Sequence, residues 1–310
     1  MLSRAEGCLL GQLAGDSLGS LVEFRGPDDI RRQYPAGVRE LVNGGTFNTI
    51  AGQPTDDSEM ALMLARMLVE KSTYDADAAR NAYLFWFRSG PFDVGNTISN
   101  ALSGRLDPKS QANGAMMRIS PLGIFGASHE LNQVAEWARQ DADLTHPNSV
   151  CLQANALYTM AIAHAIRTGI GPRDLFHRIE AWSKQLNAEE VLLKCIAGAV
   201  TTPPPDYLHQ QGWVATAFWN ALWQLLHATN LEEGVVDTVM RGGDTDTNAA
   251  IAGALLGAIY GRDAIPDQWR DSILSCRPEA GRPHVRRPRP ECFWPVDALE
   301  LAEQLVASRI

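Results

Sequence analysis

Two short stretches of the chain concentrate oxygen ligands at turns that open helices. Thr55-Asp56-Asp57 follows a Gly-, Pro- and Asn-rich stretch, and Gly242-Gly243-Asp244-Thr245-Asp246-Thr247-Asn248 runs from a glycine turn into a small, apolar segment. Side chains at i, i+2 and i+3 do not share one face of a regular helix, but a turn entering a helix can converge them on one hard cation. Consecutive acids at a helix start also have a plainer use, as charges favoured by the helix dipole. Taken together, the two clusters supply enough carboxylate and hydroxyl oxygen for a pair of divalent ions, Mg²⁺ or Mn²⁺. No Cys or His stands beside them to favour zinc.

Asp-x-Asp with a nearby Thr is also the pattern of phosphatases that use an aspartyl nucleophile. There the Thr or Val stands four residues after the first Asp, a place held here by Asn248, and Arg241-Gly242-Gly243 is no apolar strand. Two weaker features accompany the acid clusters. Asp93 lies in the turn Pro91-Phe92-Asp93-Val94-Gly95-Asn96-Thr97, and Asn113-Gly114-Ala115-Met116-Met117-Arg118 is a small-residue turn able to offer backbone N–H groups to an anion. Turns and helix caps use the same residues, so each is weak alone.

The elements that must position these residues read as helices. Met60, Leu62, Met63, Leu64, Met67 and Leu68 make a broad apolar face over 58–71, and Asp56 with Glu59 has capping-box spacing after Pro54. The same reasoning predicts helices over 3–22, 76–89, 113–126, 129–140, 147–168, 172–186, 189–200, 212–228, 230–240, 246–260 and 296–308, with no convincing strand. Gly7, Gly11, Gly15 and Gly19 recur every four residues and therefore line one face of the first helix, which marks it as a central helix closely approached by another. Residues 25–54 and the Arg/Pro-rich segment 277–295 read as long loops. The second is either a solvated loop or a lid on a phosphate-bearing ligand.

Composition bounds the function. With 45% apolar and 20% charged residues, the 310-residue chain is an ordinary folded protein. The net charge of −9 argues against a nucleic-acid backbone or an anionic membrane surface as the main partner. Cys8, Cys151, Cys195, Cys276 and Cys292 form no C-x-x-C pair, which points to a reducing compartment. The N-terminus lacks the apolar run of a signal peptide, and Ala249 to Tyr260 is too short for a membrane span, so the expected location is cytoplasmic.

Several motifs together resemble the ADP-ribosylglycohydrolase family, and in particular its bacterial branch of ADP-ribosyl-dinitrogenase reductase hydrolases. They are Gly15-Asp16-Ser17-Leu18-Gly19 with Glu23, Thr55-Asp56-Asp57, Asp93-Val94-Gly95, Asn113-Gly114 with Met117-Arg118, Thr145-His146, and Gly243-Asp244-Thr245-Asp246-Thr247. Their order and spacing agree over about residues 3–262. The resemblance implies an all-α fold, here one compact multi-helix domain over 1–310 with a central cleft for two divalent ions. Because the ligand clusters come from opposite ends of the matched region, those ends must meet.

Carried over by position, Thr55, Asp56, Asp57, Asp244, Asp246 and Thr247 are the expected metal ligands. Asp93 is the first candidate for the acid or base that handles water or leaving group, and Glu23 is the second. Gly95, Asn96, Asn113, Gly114, Ala115, Met116, Met117 and Arg118 are expected to contact the substrate with Asp56, the stretch from Asn113 cradling its diphosphate. His146 matches a residue that touches substrate in relatives, and Trp213, in Gly212-Trp213-Val214, is placed to stack on adenine. The activity implied is release of ADP-ribose from an ADP-ribosylated protein, with arginine the expected linkage. Serine-linked or small-molecule ADP-ribose conjugates are the related alternative, and a non-catalytic binder that neutralises an ADP-ribosylating toxin is the alternative of another class.

Overall fold

Fifteen α-helices build the chain in the computed structural model, which describes residues 1–307. They are α1 (Leu2–Gly19), α2 (Pro27–Gln33), α3 (Asp56–Lys71), α4 (Ala76–Arg88), α5 (Asn96–Leu102), α6 (Ser120–Gly126), α7 (Leu131–Asp143), α8 (Ser149–Thr168), α9 (Pro172–Gln185), α10 (Glu190–Ala199), α11 (Val214–His227), α12 (Leu231–Met240), α13 (Thr245–Tyr260), α14 (Asp267–Ser275) and α15 (Ala298–Ala307). No strand forms among the described residues, which hold only the isolated bridges Gly44–Thr49 and Ala112–Trp213. None of these helices is long and apolar enough to cross a membrane.

The glycine stripe of α1 sets the architecture. α13 lies against it so closely that a methyl group at Gly7, Gly11, Gly15 or Gly19 would overlap the backbone of α13 around Gly257, Gly253, Ala249 and Asp246. Gly253 and Gly257 answer with a stripe of their own, facing Gly11 and Gly7. Such an approach is open only to residues without Cβ. The contact is fixed at one end by Thr245, whose hydroxyl donates to the Gly19 carbonyl at 2.7 Å. Around this pair a continuous core collects Leu9, Leu13, Leu64, Leu157, Leu222 and Leu255, all at most 1% exposed. All five cysteines are free thiols, and all but Cys292 are buried.

Most expected helices form with their ends displaced by a few residues. The helix expected over 113–126 does not: it starts only at Ser120, because the Asn113 carbonyl accepts the N–H groups of Met116 (2.8 Å) and Met117 (3.2 Å) in a turn. The loop expected over 25–54 contains α2, opened by Pro27 with Asp28 and Asp29 in its first turn. α5 and α14 are short helices that the apolar periodicity did not reveal. The capping box also fails. Thr55, not Asp56, is the cap residue of α3, and Glu59 turns away to bind Arg289 and Trp86.

The Arg/Pro-rich segment is a loop exposed to solvent over 279–288, apart from half-buried Val285, and is anchored beyond it. Arg289 is 5% exposed and grips both oxygens of Glu59 on α3 at 2.8 Å, while its carbonyl accepts Trp294 Nε1–H. The Arg287 carbonyl accepts from Gln53 Nε2 at 2.6 Å. From Arg289 on the segment is a strap across α3, and the cavity described next takes no residue from it, so the lid reading is not met.

Candidate active site

Asp16 is fully buried on α1, and its carboxylate caps α3 from outside. Oδ1 and Oδ2 accept the Thr55 N–H at 3.1 and 3.2 Å, Oδ2 accepts the Ser58 N–H at 3.1 Å, and the Thr55 hydroxyl lies 2.9 Å from Oδ1. Free N–H groups at a helix start need such an acceptor, and here a side chain from another helix supplies it. That fixes the direction in which Asp56 and Asp57 leave the turn. Burial raises the Asp16 carboxyl to about 7 against the bonds that favour its charge.

Glu23 is set by the turn after α1. The Phe24 N–H donates to the Gly243 carbonyl at 2.7 Å, and the Gly243 N–H donates to the Arg25 carbonyl at 2.9 Å. Gly242 and Gly243 both have positive φ, 75° and 76°, so the turn that delivers Asp244 and Asp246 needs glycine at both places. The two ends of the chain are thereby clamped together with their acids facing one another.

Carboxylate oxygens of Glu23, Asp93 and Asp246 lie within 4.8 Å of one another. Asp56 faces Asp93 and accepts the Gly95 N–H at 3.1 Å. Asp57 lies behind Asp56, its Oδ2 3.0 Å from the Thr55 hydroxyl. Asp244 accepts Asn113 Nδ2–H at 2.7 Å. Burial, with the neighbouring negative charges, pushes Asp56, Asp57 and Asp246 well above the usual carboxylate range and Glu23 to about 9. Burial is the main cause for Asp93 and Asp244, which are raised as well.

So many buried acids are unstable together without positive charge. Glu23 Oε2, Asp57 Oδ1 and Asp246 Oδ2 are buried without a hydrogen-bond partner. Orphaned carboxylate oxygens beside hydroxyls are the donor set of hard divalent cations, so the residues present fit such ions.

The acids form one wall of a cavity of about 430 Å³. Of the expected site residues, Glu23, Asp56, Asp93, Gly95, Asn96, Asn113, Gly114, Met117, His146, Asp244, Asp246 and Thr247 line it. Thr55 and Asp57 stand behind that wall, both buried. Ala115 and Met116 are buried outside the lining, and Trp213 spends its Nε1–H on Gln111 at 2.7 Å, leaving Gly212 to line the cavity. Arg118 is also absent from the wall: its guanidinium is fully buried against Asp141, 3.0 Å from Oδ1.

Asp16, Phe24, Thr97 and Ile98 had no role assigned from sequence, and the last three line the cavity. Asp16 carried a readable signal, a lone acid within an apolar, glycine-striped helix. Phe24, on the cavity rim, is 65% exposed with φ 62°, and nothing in its sequence context shows it.

Comparisons with known proteins bear on the family and the fold. Residues 1–308 match the family model described as ADP-ribosylglycohydrolase. The chain is 29% identical over 311 residues to the ADP-ribosylarginine hydrolase Tri1 of Pseudomonas putida (strain GB-1), covering 94% of this chain and 78% of that protein. It is 30% identical over 283 residues to the ADP-ribosyl-[dinitrogen reductase] glycohydrolase of Rhodospirillum rubrum, covering 87% and 90%. A solved structure described as an ADP-ribosylglycohydrolase-related protein complex superposes with a TM-score of 0.81 at 26% identity, covering 100% of this chain and 99% of that one. The family model spans almost the whole sequence and the all-helical fold agrees with it: the chain belongs to the ADP-ribosylglycohydrolase family.

Proposed function

We propose that this protein is a divalent-cation-dependent hydrolase that removes ADP-ribose from arginine side chains of modified proteins, releasing free ADP-ribose. The observation that carries the proposal is the convergence of Glu23, Asp93 and Asp246 at one cavity wall, with orphaned buried oxygens beside them. The arginine linkage is supported by the likeness to a relative named as an ADP-ribosylarginine hydrolase.

Thr55, Asp56, Asp57, Asp244, Asp246 and Thr247 would hold two cations, Mg²⁺ or Mn²⁺. When bound, such ions supply positive charge that binds hydroxyl groups and acidifies water. The rest is work for the chain. Asn113 and Gly114, which line the same cavity, orient the ligand, and Asn113 at the same time holds Asp244 in place. Asp93, only partly buried, is placed to move a proton between the cavity and the reacting atoms, with Glu23 as its neighbour. Loss of the side-chain nitrogen leaves oxocarbenium character on the ribose, which the surrounding carboxylates stabilise.

The test is incubation of the purified protein with arginine-linked and serine-linked ADP-ribosylated proteins, with and without Mg²⁺ or Mn²⁺. Release of ADP-ribose from the arginine-linked substrate, dependent on the cation, is expected. Release from the serine-linked substrate alone would move the assignment to that linkage, and none from either in loaded protein would remove the hydrolase reading.

A further inference from the structure

His146 is fully buried at the cavity wall, and its Nε2 has no hydrogen-bond partner. The ring lies against Gly114, where a Cβ would stand 3.2–3.3 Å from Cε1 and Nε2. Behind it, away from the cavity, runs a chain of hydrogen bonds with one consistent direction. Arg118, which the resemblance placed on the substrate, belongs to this chain instead.

The guanidinium of Arg118 lies 4.3 Å above the Tyr83 ring and donates from Nε to Asp141 Oδ1 at 3.0 Å and from Nη2 to the Asp141 carbonyl at 2.9 Å. Tyr83 donates its hydroxyl to Asp141 Oδ2 at 2.7 Å. The remaining arm, Nη1, donates to Thr145 Oγ1 at 2.9 Å. Guanidinium can only donate, so Thr145 Oγ1 accepts there. Among the described residues, the other polar atom bonded to that hydroxyl is His146 Nδ1, at 2.7 Å. A proton on Nδ1 would strand the buried hydroxyl proton of Thr145, whereas an unprotonated Nδ1 accepts it and leaves Nε2 as the one atom of this series without a partner. The His146 proton then sits on Nε2, facing the cavity.

We propose that Arg118 and Thr145 form a tautomer lock: they hold His146 neutral, with its proton on Nε2, as a fixed donor to an acceptor oxygen of the bound ADP-ribose. Arg118 and Thr145 are thus positioning residues that act through His146 without touching the ligand. The ligand's identity rests on the function proposed above; the lock stands on the protein's own hydrogen bonds. Burial and the adjacent Arg118 charge push the His146 imidazolium down to about 3, so the ring is uncharged across the neutral range.

The lock is read directly by long-range ¹H–¹⁵N correlation on the full chain labelled with ¹⁵N-histidine, the His146 signals being assigned by their loss in His146→Gln. The expected spectrum shows a protonated Nε2 and a bare Nδ1, unchanged between pH 6 and 8. Thr145→Val should abolish the preference and weaken ADP-ribose binding about tenfold by calorimetry, and Thr145→Ser should restore both. A proton on Nδ1, or an imidazolium, in the wild-type protein at pH 7 overturns the lock. So does a folded Thr145→Val that keeps wild-type ADP-ribose affinity. If Thr145→Val does not fold, the wild-type spectrum and the Thr145→Ser affinity decide. A correct wild-type tautomer with no binding of ADP-ribose, in Mg²⁺-containing buffer, leaves the lock standing and overturns its assignment to that ligand.

Discussion

The carboxylate of Asp16 accepts the backbone N–H of Thr55 across 39 positions of sequence, so the helix carrying one set of candidate ligands is capped by the helix that leads to Glu23. A single side chain thereby orients two elements of the site. It also explains why Thr55, the cap residue of α3, makes no cap bond with its own side chain.

Asp16→Ala is therefore expected to act on both stability and site. Leaving the Thr55 and Ser58 N–H groups without an acceptor should cost about 1–3 kcal/mol in urea unfolding. The increase in Tm on adding Mn²⁺ should fall as well, because Asp56 and Asp57 lose their fixed direction. Wild-type stability in this variant would show that the cap carries no energy.

Stability of the cation-free protein should fall as pH rises from about 5 to 9. Asp16, at about 7, and Glu23, at about 9, are raised above their unfolded values, so the folded state holds more protons in that window and is favoured by acid. His146, lowered to about 3, works the other way below pH 6.5, where the unfolded chain takes up the proton first. Divalent cations bind the deprotonated acids, so Mg²⁺ or Mn²⁺ should raise Tm more at pH 8.5 than at pH 6. Asp244→Ala or Asp56→Ala should lose both that increment and turnover. Equal increments at the two pH values would refute the acid cluster as the binding site.

Gly11→Ala inserts a methyl group into the backbone of α13 at Gly253. Neither helix can yield locally, since each is packed along its length. A loss of at least about 3 kcal/mol, or failure to fold, is expected by thermal or urea unfolding. Gly95→Ala, with nothing within 4 Å of the added Cβ, is the matched control and should be nearly neutral.

The strap offers a charge test. Arg289→Met leaves Glu59 buried without its cation and should cost about 3–5 kcal/mol, whereas Arg289→Met with Glu59→Gln should recover much of that loss. Additive losses in the double variant, measured by urea unfolding, would mean that the two residues do not act as a pair.

The helices and the acid clusters were legible because their signals are local. The four-residue glycine spacing of α1 announces a close partner, and Asp244-Thr245-Asp246-Thr247 shows a concentration of carboxylate and hydroxyl oxygen, each within a short stretch of sequence. What stayed hidden depends on distant partners. Asp16 shows its role only when Thr55 is beside it. Arg118 sits in the turn expected to meet the ligand, yet its long side chain reaches the opposite way to Asp141, 23 positions downstream. Glu59 looked like half of a capping box until Arg289, 230 positions later, claimed it. α2 was readable in principle from Pro27, Asp28 and Asp29, but a short polar helix leaves little apolar periodicity to count.

The pairing of α1 with α13 also orders events during synthesis. Thr245 bonds to Gly19 across 226 positions, so α1 is made long before the helix that covers its glycine face. Until then that face lacks the partner helix that covers it in the finished chain, and Glu23 waits for Asp246. Activity should therefore arrive abruptly as α13 docks, and nascent chains stopped before residue 245 should be inert and prone to associate through the uncovered stripe.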